Sequence, residues 1–327
     1  MEPIISVIIP TKDRNSILRH TVKQGLKALE KIEADIIIVN DSKTNKIDIG
    51  EIHRNNVHIF DNPKSGVSAA RNFGASVAKA DLLIFLDDDM LIFKENIETT
   101  LALHRRFPGI SFNLNWTYPP DLLNQCQKLQ FGRYLIKHGF TSLRGWGGGE
   151  RWKEWDDVEM FEVDALTAQF LTISKSAFNA VGGFDEKIPF PVEDYDFSVR
   201  LKNIGIKLFI YPKSTVYHNE ADKINVKSWL ERKKIGARGH KFALQFRYQK
   251  FYKKYSYLKV LLHKYFWKKK NLCISVLEII PNIKLFDFIY FIIINRLLGA
   301  FIFKGYTEVS TDDQNELVKV IENNFEQ

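Results

Sequence analysis

Four short apolar runs, each stopped by polar side chains, restrict the fold of this chain more than anything else in it. Ile4 to Ile9 reads as a buried strand halted at Pro10, followed by Thr11-Lys12-Asp13-Arg14. A helical stretch over Ser16–Ile32 leads to a second strand, Asp35–Val39, which ends at Asn40-Asp41-Ser42. A shorter third strand, Val57–Phe60, precedes Asn62-Pro63-Lys64-Ser65-Gly66. A helix from Val67 to Lys79 then feeds Leu82–Leu86, which stops at Asp87-Asp88-Asp89. Strands alternating with helices at this spacing predict βαβ units and a parallel sheet. Thr11, Asp13, Asp41 and Asp87 to Asp89 then gather on one rim, where an open α/β sheet takes its ligands.

Three adjacent carboxylates repel one another and call for a compensating cation. Mg²⁺ and Mn²⁺ prefer carboxylate oxygen, and Mg²⁺ is commonly held by one or two carboxylates together with substrate phosphates. The ordinary alternative is an acidic turn that caps the helix expected around Lys94–Arg105. No Gly-x-Gly-x-x-Gly follows the first strand, and no Gly-x-x-x-x-Gly-Lys-Ser is present. Dinucleotide and P-loop chemistry therefore have no support.

Several blocks taken in order resemble the signature of family 2 glycosyltransferases. They are Ser6-Val7-Ile8-Ile9-Pro10-Thr11, Val39-Asn40-Asp41-Ser42, Gly66-Val67-Ser68-Ala69-Ala70-Arg71-Asn72 and Leu86-Asp87-Asp88-Asp89, followed by Gly182-Gly183-Phe184-Asp185-Glu186 and Val192-Glu193-Asp194-Tyr195-Asp196. The likeness runs from about Ile4 to His218. It departs at Asn40-Asp41-Ser42-Lys43, where the family more often has two acidic residues before Gly-Ser.

The resemblance implies a GT-A-like, mostly parallel central sheet flanked by helices, and a role for each matched residue. Pro10 and Thr11 would line the base pocket, with Asp13 beside them on the nucleotide side. Asp41 would accept from the imide N–H of a uracil-type base, a contact that suits a carboxylate. Arg71 belongs to the same nucleotide-binding set, or is a helix-face salt bridge. Asp87 would hold the ribose hydroxyls, with Asp88 as its neighbour, and Asp89 would bind the divalent ion that bridges the diphosphate. Lys12 and Arg14 either face the diphosphate or are simply solvated.

Glu193-Asp194 forms a second chemical centre. Acidic residues at a helix N-terminus are ordinary, because they complement the macrodipole by about 0.3–1 kcal/mol each. By resemblance, however, Asp194 is the base that deprotonates an acceptor hydroxyl, and Glu193 contacts the acceptor or the sugar. One base opposite the leaving group gives a single displacement with inversion. His218 follows a short strand over Lys207–Tyr211 and would complete the metal site. An imidazole among oxygen ligands shifts preference from Mg²⁺ toward Mn²⁺. A histidine beside Asn219-Glu220 can equally be a hydrogen-bonded surface residue.

Residues Asn113 to Glu162 do not read as regular sheet. Trp116, Tyr118, Trp146, Trp152 and Trp155 crowd there with Gly145 and Gly147-Gly148-Gly149. Aromatic faces suit sugar rings, and a glycine cluster suits a flap over a donor. Trp146 and Gly148 are the candidates for the donor or acceptor sugar. Core packing is the alternative for Trp116.

With 327 residues, 45% of them hydrophobic, there is ample core for a catalytic domain over residues 1–222 (nucleotide-binding half 1–110, acceptor-binding half 111–222) and an appendage over 223–327. Only Cys126 and Cys273 are present and they lie far apart, so neither a disulfide framework nor a zinc set is indicated. The chain enters a strand without a basic and apolar leader, so no secretory signal is expected.

The net charge of +8 is uneven, because residues 223–270 carry sixteen Lys and Arg against Glu231 alone. Interleaved aromatics leave nucleic acid as a formal option, but no recognised binding motif supports it. The following apolar stretch, Leu285 to Phe303, contains Asp287, Asn295 and Arg296. A charge at the bilayer centre costs about 2.5–3.5 kcal/mol on insertion scales, which argues against a clean span. An interfacial helix beside a polybasic segment fits better, with a buried C-terminal helix as the alternative.

The expectation is an inverting, metal-dependent glycosyltransferase with a basic, helical, membrane-associating appendage. Its cofactor would be Mn²⁺ or Mg²⁺, its donor a nucleotide sugar with UDP favoured, and its acceptor a glycan or polyprenyl-lipid-linked hydroxyl in surface polysaccharide synthesis. Peripheral contact through residues 223–304 would hold it at the cytoplasmic membrane face. A sugar nucleotidyltransferase and a non-catalytic glycan-binding protein on the same fold remain alternatives.

Overall fold

The computed structural model of the chain describes residues 2–52, 54–147, 155–246 and 248–308. The chain divides into two compact units. The larger takes Met1–Lys128, Leu135–Ile188 and Glu193–Asp222; the smaller takes Leu129–Tyr134, Pro189–Val192 and the rest of the chain from Lys223.

In chain order the first elements are β1 (Ile5–Thr11), α1 (Asn15–Ala28), β2 (Ala34–Asn40), β3 (Val57–Asp61), α2 (Val67–Val77), β4 (Leu82–Leu86), β5 (Met90–Leu91) and α3 (Lys94–Arg106). Next come β6 (Ile110–Thr117), α4 (Pro120–Lys128), α5 (Gln130–Lys137), α6 (Leu143–Gly147), β7 (Phe161–Glu162), β8 (Phe170–Ser174), α7 (Lys175–Ala180), α8 (Glu193–Asn203) and β9 (Lys207–His218). Among the described residues four further α-helices follow: α9 (Val226–Ala243), α10 (Tyr257–Lys268), α11 (Lys270–Ile279) and α12 (Asp287–Thr307).

The strands form a nine-stranded sheet in the order β3-β2-β1-β4-β8-β6-β9-β5, with β7 pairing β9 off that path. The β1–β2, β1–β4 and β2–β3 pairs are parallel, as the helix-strand alternation predicts. Every residue of β1, β2 and β4 is buried, which accounts for their uninterrupted apolar sequences, since both faces are covered. The helix α2 packs closely enough on the sheet that a Cβ at Gly74 would stand 2.4 Å from Ile8 Cγ2. Antiparallel pairing enters at β8, against both β4 and β6, and at β5 and β7 against β9.

Two stretches differ from expectation. The Asn113–Glu162 segment opens with the second half of β6, a strand inside the sheet. Its asparagines are poor strand formers, but their side-chain amides find partners: Asn113 exchanges two bonds with Thr167 at 2.9 Å each, and Asn115 Nδ2 donates to Thr215 Oγ1 at 2.8 Å. The short strand at Lys207 runs on to His218. Pro212, which reads as a stop because it lacks an N–H, falls where the β6–β9 register jumps from Leu114↔Tyr211 to Asn115↔Thr215. Beyond it Ser214, Val216 and His218 resume the buried positions of a period-2 strand.

In the smaller unit, α12 buries Tyr290, Phe291, Ile294, Leu297, Ala300 and Phe301, spaced three to four residues apart, as one apolar face. Gly305 lets α12 approach α9 closely, for a Cβ there would meet the Lys234 carbonyl oxygen at 2.0 Å. Asp287 and Asn295, two polar residues of the apolar stretch, have protein partners. Asp287 accepts from Arg133 Nε at 2.7 Å and Nη2 at 2.6 Å, and Asn295 Oδ1 accepts from the Tyr134 hydroxyl at 2.8 Å. The opposite face leaves Leu285, Phe288, Ile289 and Ile292 exposed. Residues Lys284–Thr307 are long and apolar enough to cross a membrane by length and composition, and 33% of that apolar window is buried inside the protein.

Candidate active site

The rim is built at the carboxyl ends of β1, β2 and β4. Asp87 follows β4 directly, its N–H donating to the Gln169 carbonyl at 3.1 Å. Asp88 and Asp89 are buried, and the cation beside them comes from the chain itself. Arg14 Nη1 bonds Asp88 Oδ1 and reaches Asp89 Oδ2 at 3.0 Å, while its Nε and Nη2 take Asp222 at 3.1 and 3.0 Å. Arg14 is therefore not a solvated loop residue; its side chain is only 20% exposed. Burial works against its charge, but Asp89, Asp88 and Asp222 outweigh that and hold it protonated. Burial pushes Asp88 up to about 6 against the pull of Arg14. Its Oδ2 accepts from Thr11 Oγ1 at 2.6 Å and its carbonyl from Thr21 Oγ1 at 2.7 Å, which fixes the acidic turn to β1 and α1.

Asp89 and His218 meet because β5 pairs with β9 in the register Met90↔His218. His218 Nε2 lies 3.2 Å from Asp89 Oδ1 and 3.9 Å from Glu220 Oε1. One ligand atom from each of Asp89, His218 and Glu220 falls within 4.8 Å of the others, a set of two carboxylates and an imidazole that suits Mn²⁺ or Mg²⁺. In the sequence alone Glu220 is only a neighbour of His218. Its signal was the i, i+2 spacing, which on extended backbone puts two side chains on one face.

The second centre is organised by Arg71, on α2. It lies 3.1 Å from Asp87, 3.2 Å from Glu193 and 3.5 Å from Asp194, with its guanidinium 5.3 Å from the centre of the Phe184 ring. It is fully enclosed, which excludes a surface salt bridge on a helix face. Glu193 is 1% exposed and its Oε1 accepts from Arg71 at 3.2 Å, so it positions that arginine. Asp194 Oδ2 accepts from the Ala168 N–H at 2.9 Å, whereas Oδ1 accepts no hydrogen bond among the described residues. Burial and the adjacent Glu193 raise the Asp194 pKa, with Arg71 opposing them.

The Gly182-Gly183-Phe184 block supports this centre. Asn72 Oδ1 accepts the Phe184 N–H at 2.8 Å, and its Nδ2 donates to the Phe184 carbonyl at 2.8 Å. Gly183 has φ +72°, and a Cβ there would stand 2.6 Å from Asn72 Oδ1, so glycine is required on both counts.

On the far side of the rim, Pro10 is buried opposite Val39 in the β1–β2 register, and the Asp41 N–H donates to the Thr11 carbonyl at 2.8 Å. Asp41 Oδ1 accepts from the Gly66 N–H at 2.8 Å and from Asn62 at 2.7 Å, and Lys12 Nζ lies 3.7 Å from Oδ2. Asp13 adopts φ +58° and accepts from Asn45 at 2.7 Å; bonds from Ser42 and Asn45 lower its pKa. The aromatic cluster divides. Trp116 and Tyr118 are buried with their rings edge-on to His218 at 5.1 and 6.1 Å, and Trp155 is buried 5.6 Å from Phe161, so these three pack and offer no open stacking face. Trp146 lies on α6, but its side chain, like Gly148 and Trp152, is outside the described residues.

Comparison with known proteins agrees with this architecture. The model described as "Glycosyl transferase family 2" matches residues 6–147, and that described as "Glycosyl transferase family group 2" matches residues 162–303. An uncharacterized glycosyltransferase of Haemophilus influenzae is 24% identical over 208 residues, covering 61% of this chain and 62% of that protein. Matches to two further curated relatives span only 25% and 17% of their lengths. Among solved structures, the mannosyltransferase PcManGT from Pyrobaculum calidifontis, in complex with GDP-Man and Mn²⁺, superposes with a TM-score of 0.54 at 11% identity, covering 94% of this chain and 88% of that one. GalNAc-T7 with UDP, GalNAc and Mn²⁺ gives 0.50 at 16% identity, covering 72% and 48%. These two likenesses establish the GT-A-like fold alone. With both family models matched in chain order across the rim, the second centre and the C-terminal helices, the chain belongs to glycosyltransferase family 2.

Proposed function

We propose that this protein moves a sugar from a nucleoside-diphosphate donor to an acceptor hydroxyl with inversion, Asp194 serving as the base. The carrying observation is Arg71. It ties Asp87, at the end of the donor-side strand, to Glu193 and Asp194, so the two halves of such a reaction share one charge cluster. Asp194 is suited to the task because Oδ2 is anchored by Ala168, while Oδ1, 3.5 Å from Arg71 Nη1, accepts no hydrogen bond among the described residues and would take the proton. The acceptor oxygen bonds to the anomeric carbon, the bond from that carbon to the phosphate oxygen breaks, and the hydroxyl proton passes to Asp194. Asp89 and His218 would hold a divalent ion, which when bound neutralises charge on the departing diphosphate and removes the need for a general acid. Asp41, at the end of β2, fits the imide of a uracil base, which favours UDP.

Purified protein incubated with Mn²⁺ and a panel of UDP-, GDP- and other nucleotide sugars tests this reading through donor hydrolysis and transfer. Release of nucleoside diphosphate is expected; pyrophosphate would identify a nucleotidyltransferase, and no turnover a binding protein. Asp194→Asn should lower turnover about 10²–10⁴-fold, and unchanged turnover would reject the base assignment.

A membrane-facing role rests on the smaller unit. Leu285 (80% exposed), Ile279 (77%), Tyr257 and Leu258 (76% each) and Phe288 (72%) stand uncovered in a region with sixteen basic residues against one acid over 223–270. Such a surface suits peripheral binding to an anionic cytoplasmic leaflet, where each Lys or Arg adds about 1 kcal/mol. The acceptor would then be a polyprenyl-linked glycan of surface polysaccharide synthesis. Co-sedimentation with phosphatidylglycerol vesicles but not phosphatidylcholine vesicles is expected, with loss on Leu285→Asp combined with Phe288→Asp. Equal binding to both vesicle types, or to neither, would refute it.

A further inference from the structure

We propose that Glu220 is a third protein ligand of the divalent ion, held in place by Tyr118, so that the chain takes up its ion before any nucleotide arrives. The inference rests on the glycosyl-transfer reading and adds the order in which the site is filled. Ligand atoms around a small divalent ion at about 2.1 Å lie roughly 3–4 Å apart. Asp89 Oδ1 and Glu220 Oε1 stand 3.2 and 3.9 Å from His218 Nε2, already close to that spacing.

The other oxygen of each carboxylate is engaged from outside the triad. Asp89 Oδ2 accepts from Arg14 Nη1 at 3.0 Å, and Glu220 Oε2 accepts from the Tyr118 hydroxyl at 2.6 Å. Outer partners of this kind aim ligating oxygens and are worth about 10–100-fold in metal affinity. The backbone is fixed as well, because the Asn219 N–H donates to the Asp89 carbonyl at 2.7 Å and Met90 pairs with His218 across the sheet. Asp89 and His218 are both buried, so two of the three ligand side chains are shielded from bulk solvent. A site of one or two carboxylates relies on substrate phosphates to complete it. Two carboxylates and an imidazole on a fixed frame do not.

The test uses metal-free, full-length protein titrated with Mn²⁺ alone, following loss of the free-ion electron paramagnetic resonance signal, with a parallel series containing UDP or GDP. One Mn²⁺ per chain should bind without nucleotide. Tyr118→Phe should weaken that binding about tenfold and Glu220→Gln by more, with the melting temperatures of the metal-free proteins unchanged. Two results would overturn the inference: wild-type binding that appears only with nucleotide, or Glu220→Gln with wild-type affinity. Both would leave the glycosyl-transfer reading standing. Binding in neither series would overturn the ion's place in that reading too.

Discussion

Two arginines each gather three acids in the larger unit, and they do so differently. Arg71 is enclosed, and its partners Glu193 and Asp194 approach it from one helix N-terminus while Asp87 comes from the sheet. Arg14 is partly open at 20% exposure, and one of its partners, Asp222, is 38% exposed. The first pairing belongs to the scaffold: nothing outside the protein can replace that guanidinium. The second sits where a mobile cation also has reason to bind, so its acids answer to two cations and the first group's to one. Asp88 and Asp89 are themselves buried, so the contrast lies in the arginines and in the open Asp222 rather than in the burial of the acids.

The sharpest way to break this contrast is Arg71→Ala. It strands the buried Glu193 carboxylate and should cost about 3–5 kcal/mol in chemical denaturation, with no recovery on adding Mn²⁺. Arg14→Ala should cost less, about 1–3 kcal/mol in the presence of chelator. Much of that loss should return with Mn²⁺, since a ligand at a hundred times its Kd stabilises by about 2.7 kcal/mol. Equal recovery in the two variants would erase the distinction.

The smallest effect expected is a displaced pH profile. Asp194 must be ionised to act, and its folded pKa is raised, so turnover should fall as pH drops through a value above that of an ordinary aspartate. Glu193→Gln removes the like charge and should move this acidic limb to lower pH. A shift to higher pH would mean that Glu193 acts only by holding Arg71.

The parallel half of the fold was legible because its strands are buried on both faces and carry uninterrupted apolar sequence. The mixed half beyond β4 was not, since β6 holds Asn113 and Asn115 and β9 holds Pro212, residues that a strand tolerates only with side-chain bonds or a register shift. The acidic rim, Arg71 and Asp194 stood out through their motifs. Arg14, Tyr118 and Glu220 did not, because a lone basic residue, a tyrosine and a glutamate gain meaning only from the side chains they meet across the sheet. Trp116 and Tyr118 misled for the same reason: composition shows an aromatic ring but not which way it faces.

The pairing of Met90 with His218 joins an early strand to the last one made. The β1–β4 strands are therefore all synthesised before His218 and Glu220 exist to join Asp89. On the proposed metal reading, ion uptake would report that synthesis and docking of β9 are finished, and a fragment ending short of β9 would lack His218 and Glu220.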